Sequence, residues 1–152
     1  MSRLPPLALT QKWRHLRWDE RVSLVQAALA VPAMALSLRV FGFNRVRQWV
    51  DRTAATRRVR QWMSADAVRV SVVSVNRVKR HSLFGGNCLS QSLALAWMMR
   101  RRGVTPTLRL GVSLTESRLD AHAWIEFEGR VLNDTQDVHT RFTPFIEKSG
   151  AR

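Results

Sequence analysis

The sequence predicts an α+β fold in which helices come first and an antiparallel sheet comes last. Up to Gly103 the apolar residues fall in charge-free runs or at helical spacing. After Pro106 they alternate in short segments, and Phe127-Glu128-Gly129 supplies a hairpin loop between two of these.

The first helices are read from charge and spacing. Residues 1–19 form a polar lead-in with Pro5-Pro6, Trp13 and Trp18, and Asp19 is placed to cap a helix beginning near Glu20. No charge appears from Val22 to Leu38, a run at the lower limit for crossing a bilayer that also holds Pro32 and three polar residues. A secretory signal fits poorly, because Asp19 and Glu20 stand where positive charge is wanted. The run reads as a buried or interface helix kinked at Pro32, and its Arg-rich flanks also suit a membrane surface. Gly42 closes it, and a basic helix follows over about Asn44 to Arg58 with Val46, Trp49 and Val50 on one side. Ala65–Val75 suits helix and strand equally, because Val68, Val70, Val72 and Val73 fit both periods.

The clearest helix runs from Cys88 to about Arg102. Asn87 is a good N-cap, Gly103 a good stop, and Arg100-Arg101-Arg102 complements the negative helix end. Leu89, Leu93, Ala96, Trp97 and Met99 offer its apolar face. Strands are expected at Thr107–Leu114, Ala121–Phe127 and Arg130–Asp134, with Phe142, Phe145 and Ile146 covering the sheet. Residues 1–80 thus make a mainly helical region and 81–152 a core carrying the chemistry, in one compact domain overall.

Composition narrows the function classes. The hydrophobic fraction of 45% suffices for a core without disulfides, and a lone cysteine fits a reducing compartment. The formal charge of +14 is carried almost wholly by arginine and attracts anionic partners. No helix-turn-helix, zinc-ligand set or aromatic RNA-binding motif accompanies it, so no nucleic-acid partner is expected.

Cys88 carries the chemical signal. A lone cysteine is usually a small core residue, but this one opens a helix, facing unpaired backbone N–H groups and the positive dipole end. That environment stabilises a nucleophilic thiolate and the oxyanion formed when it attacks a carbonyl. Gly85 and Gly86 just before it let a substrate backbone approach closely. His122, between Ala121 and Ala123 in a strand pattern, is the base candidate, in preference to His15, His81 and His139. A three-residue Phe127-Glu128-Gly129 loop would set Glu126 opposite Arg130, Ile125 opposite Val131 and His122 opposite Asp134. A two-residue Glu128-Gly129 turn would put His122 and Asp134 on opposite faces, so the three-residue register is the expectation. Cys88 is then nucleophile, His122 base and acid, and Asp134 the orienter. Asp120, Asp137 or Asn133 are alternatives for the third role. The Cys88 N–H is the first oxyanion donor, with Asn87 and Gln91 side chains as further candidates and Gly86 and Trp124 as substrate contacts.

Five linked blocks give the chain a family resemblance: Asn87 to Trp97, Arg100 to Gly103, Leu108 to Val112, Ala121 to Glu126 and Gly129 to Asp134. Over about residues 80–135 it resembles the transglutaminase-like cysteine peptidase of lasso peptide biosynthesis, in its standalone form. The resemblance implies a transglutaminase-like, papain-like core, with the nucleophile at the start of a central helix packed on an antiparallel sheet. It implies a Cys-His-Asp peptidase without cofactor of its own, which removes the leader from a ribosomally made precursor peptide. The implied partners are a separate leader-recognition protein and a macrolactam cyclase that uses ATP. Two other classes compete: an amidase or acyltransferase using the same triad, and a non-catalytic, basic, membrane-associated binding protein.

Overall fold

The computed structural model describes residues 17–55, 65–81, 87–115 and 118–145. Its first helix, α1, spans Trp18–Phe41. It opens two residues before Glu20, and the cap expected of Asp19 is not made. Instead Glu20 Oε2 accepts the Arg17 N–H at 3.1 Å. Pro32 lies inside the helix and removes one donor. The carbonyl it deprives belongs to exposed Ala28, where water can serve it. Gly42, at φ 76°, ends the helix in a conformation that glycine adopts without strain.

Helix α2, Phe43–Ala55, buries Val46 and Val50 but leaves Trp49 exposed. The ambiguous valine-rich segment is helix α3, Ala65–His81. Its inward residues, Val68, Ser71, Val72, Val75 and Val78, step by three or four along the chain. Packing on one helical face therefore overrides the strand preference of valine.

Helix α4, Cys88–Arg101, is central, with Ser90 through Ala96, Met98 and Met99 all buried. It packs on α1, α2 and α3 as well as the sheet. Alternating Ser and Ala let those neighbours approach closely, so burial extends beyond the single apolar face expected. Gly103, at φ 86°, turns the chain, and the Val104 N–H returns to the Met99 carbonyl at 3.0 Å. Beside it the Arg102 guanidinium donates to the hydroxyls of Ser71 on α3 and Ser23 on α1. Burial lowers the Arg102 pKa and the charge of Asp19 opposes that shift.

The sheet has the order β3-β2-β1-β4 and is antiparallel. Strands β1 (Thr107–Thr115) and β2 (Arg118–Phe127) pair along their whole length, from Thr107↔Glu126 to Thr115↔Arg118. Strand β3 is only Arg130–Val131. A short helix α5, Val138–Arg141, leads to β4, Thr143–Pro144, on the far edge. Alternation divides the sheet. Ile125 joins the helical core, while Trp124 packs with Val131, Val138 and Phe142 on the opposite side. Phe142 covers the sheet as expected, whereas Phe145 is exposed and Ile146 lies outside the described residues.

The β2–β3 register differs from the expected one. Glu126 pairs with Val131 and Phe127 with Arg130, which leaves a two-residue turn. Glu128 and Gly129 both have positive φ, 50° and 74°. This turn matches the right-handed twist of the flanking strands, and glycine takes one of its two left-handed positions at no steric cost. Continued as a regular ladder, the register would point Asp134 away from His122. It is not continued. Strand β3 ends at Val131, three residues earlier than expected.

Candidate functional site

The departure of β3 from the sheet builds the site. Ile125 and Ala123 direct backbone groups toward the β3 edge. The Ile125 carbonyl still accepts the Leu132 N–H at 2.9 Å. Beyond that, side chains replace the missing strand. Asn133 Oδ1 accepts the Ile125 N–H at 2.8 Å, Asn133 Nδ2 donates to Ser92 Oγ at 2.8 Å, and Ser92 Oγ donates to the Ala123 carbonyl at 3.0 Å. The fully buried edge of β2 is thereby satisfied while the backbone turns off, and the next residue, Asp134, folds back over His122. His122 Nε2 and Asp134 Oδ2 are hydrogen-bonded.

The same bridge locates Cys88. Ser92 lies one helical turn beyond it, on the same side of α4. Because Ser92 is bonded to the carbonyl of Ala123, α4 is fixed against the β2 edge one helical turn from Cys88. The Asn87 cap is made as expected: Asn87 Oδ1 accepts the Ser90 N–H at 2.9 Å. Cys88 is half-buried and reduced. Since Asp134 engages Nε2, Nδ1 is the imidazole nitrogen left to exchange a proton with the thiol.

Asp134 is held from several sides. Its Oδ1 accepts the Thr135 N–H at 2.7 Å and Arg141 Nη2 at 2.7 Å. Arg141 also reaches Thr135 Oγ1 at 2.9 Å. Burial pushes the Asp134 carboxyl up, but the Thr135 N–H, the His122 ring and the Arg141 guanidinium together bring it down to about 2. The group is therefore a carboxylate at any physiological pH, suited to orient an imidazole and stabilise an imidazolium.

The imidazole is also fixed by rings. Phe142 stacks on His122 with centroids 4.7 Å apart, and Trp124 lies nearly parallel at 6.1 Å. Trp124 is completely buried, so the substrate contact expected of it is corrected: it is a wall behind His122. Its Nε1 donates to Glu126 Oε1 at 2.8 Å. Glu126 in turn faces His139 Nε2 at 3.0 Å and Arg109 Nε at 3.1 Å. Opposite His122 on β1 stands Gly111, where a Cβ would lie 2.9 Å from two Trp124 ring carbons.

Of the other candidates, Asn87 commits its oxygen to the cap, and Gln91 is buried within α4. Gly85 and Gly86 lie outside the described residues. Asp137 pairs with Arg141 and Thr135 rather than His122, and Asp120 is exposed near the far end of β2. Asn133 belongs to the site as the residue that releases Asp134 from the ladder. Sequence reasoning missed Arg141, Phe142 and Ser92 as parts of this assembly. Nothing local separates Arg141 from the chain's many other arginines.

A cavity of about 340 Å³ lies elsewhere. It lies between α2, α4 and the start of β1, lined by Arg47, Asp51, Leu93, Arg100, Pro106 and Leu108, at the end of α4 remote from Cys88.

A cysteine at a capped helix start, on a helix tied to a strand whose histidine is oriented by a carboxylate, suits acyl transfer through a thioester. No curated protein and no solved structure matches the chain. The family model of the transglutaminase-like superfamily matches residues 30–147, taking in α1 from its middle onward and every later element named above. Members of that superfamily are typically cysteine-dependent enzymes, and the helices packed on an antiparallel sheet agree with its fold. The chain belongs to the transglutaminase-like superfamily.

Proposed function

We propose that the chain is a cysteine peptidase that removes the leader from a ribosomally made lasso peptide precursor. The observation that carries the catalytic part is the His122–Asp134–Arg141 assembly on the strand to which α4 is tied through Ser92. The five-block resemblance over residues 80–135 supports the substrate. In this reading the Cys88 thiol gives its proton to His122 Nδ1 and the thiolate attacks the scissile carbonyl. The Cys88 N–H, at the helix start, donates to the resulting oxyanion. Collapse breaks the C–N bond, and the imidazolium supplies the proton to the leaving amine. Water, deprotonated by His122, then hydrolyses the thioester and returns the thiol. Asp134 orients the ring throughout and remains ionised.

The reading places the enzyme in the cytoplasm with a separate leader-recognition protein and an ATP-using macrolactam cyclase as partners. Incubation of precursor with the recognition protein and this chain should release the leader, while Cys88→Ala should release none and keep the wild-type melting profile. Undiminished cleavage by Cys88→Ala would sink the assignment. Mass spectrometry separates the acyltransferase alternative: hydrolysis leaves a free carboxylate at the new terminus, whereas transfer to an amine leaves an isopeptide.

A further inference from the structure

Helix α1 has two apolar faces, and only one is used by the fold. Ser23, Ala27, Ala30, Val31 and Met34 are buried against the rest of the molecule. Trp18, Val22, Val25, Leu29, Leu36 and Val40 point the other way, and Trp18, Leu29, Leu36 and Val40 are 75%, 68%, 64% and 64% exposed. With successive residues about 100° apart, those six and Pro32 fall within a sector roughly 100° wide, opposite the buried one. The stripe runs the length of a helix that is about 36 Å long at 1.5 Å per residue. A continuous outward apolar stripe of this kind marks an interaction surface.

Charge selects what covers it. Arg21 and Arg39 lie eighteen positions apart, roughly five turns, and so flank the same margin of the stripe at its two ends. Arg17 precedes the helix, Arg45 follows it, and the whole chain carries +14. Glu20 falls on the opposite side of α1 from the stripe. Aromatic residues, Trp18 and Phe41, stand exposed at the two ends of α1. An apolar stripe with one basic margin and aromatic ends matches a surface with an apolar interior and anionic head groups. Spanning is a different matter. The helix is long and apolar enough to cross a membrane, but its other face is the domain's own core.

We infer that the outward face of α1 is a docking surface for anionic lipid, on which the helix lies in the plane of the membrane with Leu29 and Leu36 inserted. The proposal is independent of the peptidase reading, because it uses no residue of the Cys88 site.

Co-sedimentation of the full chain with phosphatidylglycerol-containing vesicles and with pure phosphatidylcholine vesicles tests it. Strong binding to the first and weak binding to the second is expected, decreasing with salt. The double substitution Leu29→Gln and Leu36→Gln leaves the net charge unchanged and alters only exposed positions, so its melting temperature should match wild type. It should weaken binding to the anionic vesicles at least about tenfold. Absence of binding to anionic vesicles would overturn the inference, as would undiminished binding by the variant, which would mean adsorption by charge alone. So would a concentration-dependent dimer that the same substitutions dissolve without any vesicle binding, which would make a second copy the occupant. A protein partner that requires the stripe while vesicles do not bind would overturn it equally.

Discussion

Replacing Asn133 by valine tests how the site is assembled. Asn133 accepts the N–H of fully buried Ile125 and donates to the hydroxyl of fully buried Ser92. Asn133→Val leaves the Ile125 N–H unpaired, at about 1–3 kcal/mol, and removes the Ser92 bond, at about 0.5–1.5 kcal/mol. The apolar side chain recovers part of this through burial, so a net loss of about 2–3 kcal/mol is expected. For a domain of this size that lowers the melting temperature by about 4–12 °C. Ser92→Ala is the comparison. It removes the donor to the Ala123 carbonyl and the acceptor of Asn133 Nδ2 but keeps the Asn133–Ile125 bond, and should cost a comparable amount, about 2–3 kcal/mol. Urea denaturation of both variants gives the stabilities, and leader release per folded molecule gives the activity. Asn133→Val should lose activity well beyond its unfolded fraction, because Asp134 is the next residue and loses what keeps it out of the ladder. Ser92→Ala should keep most of its activity. A stability for Asn133→Val within about 0.5 kcal/mol of wild type would refute the reasoning, as would equal loss of activity in both variants.

Gly111→Ala places a methyl 2.9 Å from the Trp124 ring and 3.0 Å from the Thr143 carbonyl. Because Trp124 is completely buried and lies against His122, the expected cost is about 1–3 kcal/mol with reduced turnover, measured by melting and by kcat. Arg141→Gln should lower kcat more than it raises KM, while Arg141→Lys, which keeps the charge but not the same reach to Asp134 and Thr135, should recover only part of the loss. The folded-state Asp134 carboxyl titrates at about 2, below its ordinary 3.8, so its stabilising contribution is present above the ordinary value and lost as pH falls through the folded one. Wild type should therefore lose more stability than Asp134→Asn between about pH 4 and pH 2, in denaturant titrations at each pH.

Local signals made much of the fold legible. The Asn87 cap, the Gly103 stop and the Gly42 stop each depend on neighbours a few residues away, and each is found where the sequence places it. Helical spacing located α2 and α4, and alternation located β1 and β2, to within a few residues. The Asp19 cap is not made because the helix already begins at Trp18, which puts Asp19 inside its first turn. The valine-rich α3 stayed ambiguous because four neighbouring valines fit both periods. Its burial by α1 and α4, distant in the chain, decided between them.

His122 and Asp134 do meet, but not for the reason the sequence suggested. The three-residue hairpin loop was favoured because an unbroken ladder in that register joins His122 to Asp134. The actual two-residue turn gives the opposite parity, and His122 still bonds Asp134. The sequence by itself determined that a thiol opens a capped helix and that a histidine and an aspartate follow on the strand side. Only the tertiary structure decided how the histidine and the aspartate meet. The interaction that frees Asp134 is Asn133 reaching Ser92, forty-one residues earlier, at a sheet edge where a side chain takes the place of a strand. That long-range substitution of one hydrogen-bond partner for another leaves no period and no spacing in the chain to read.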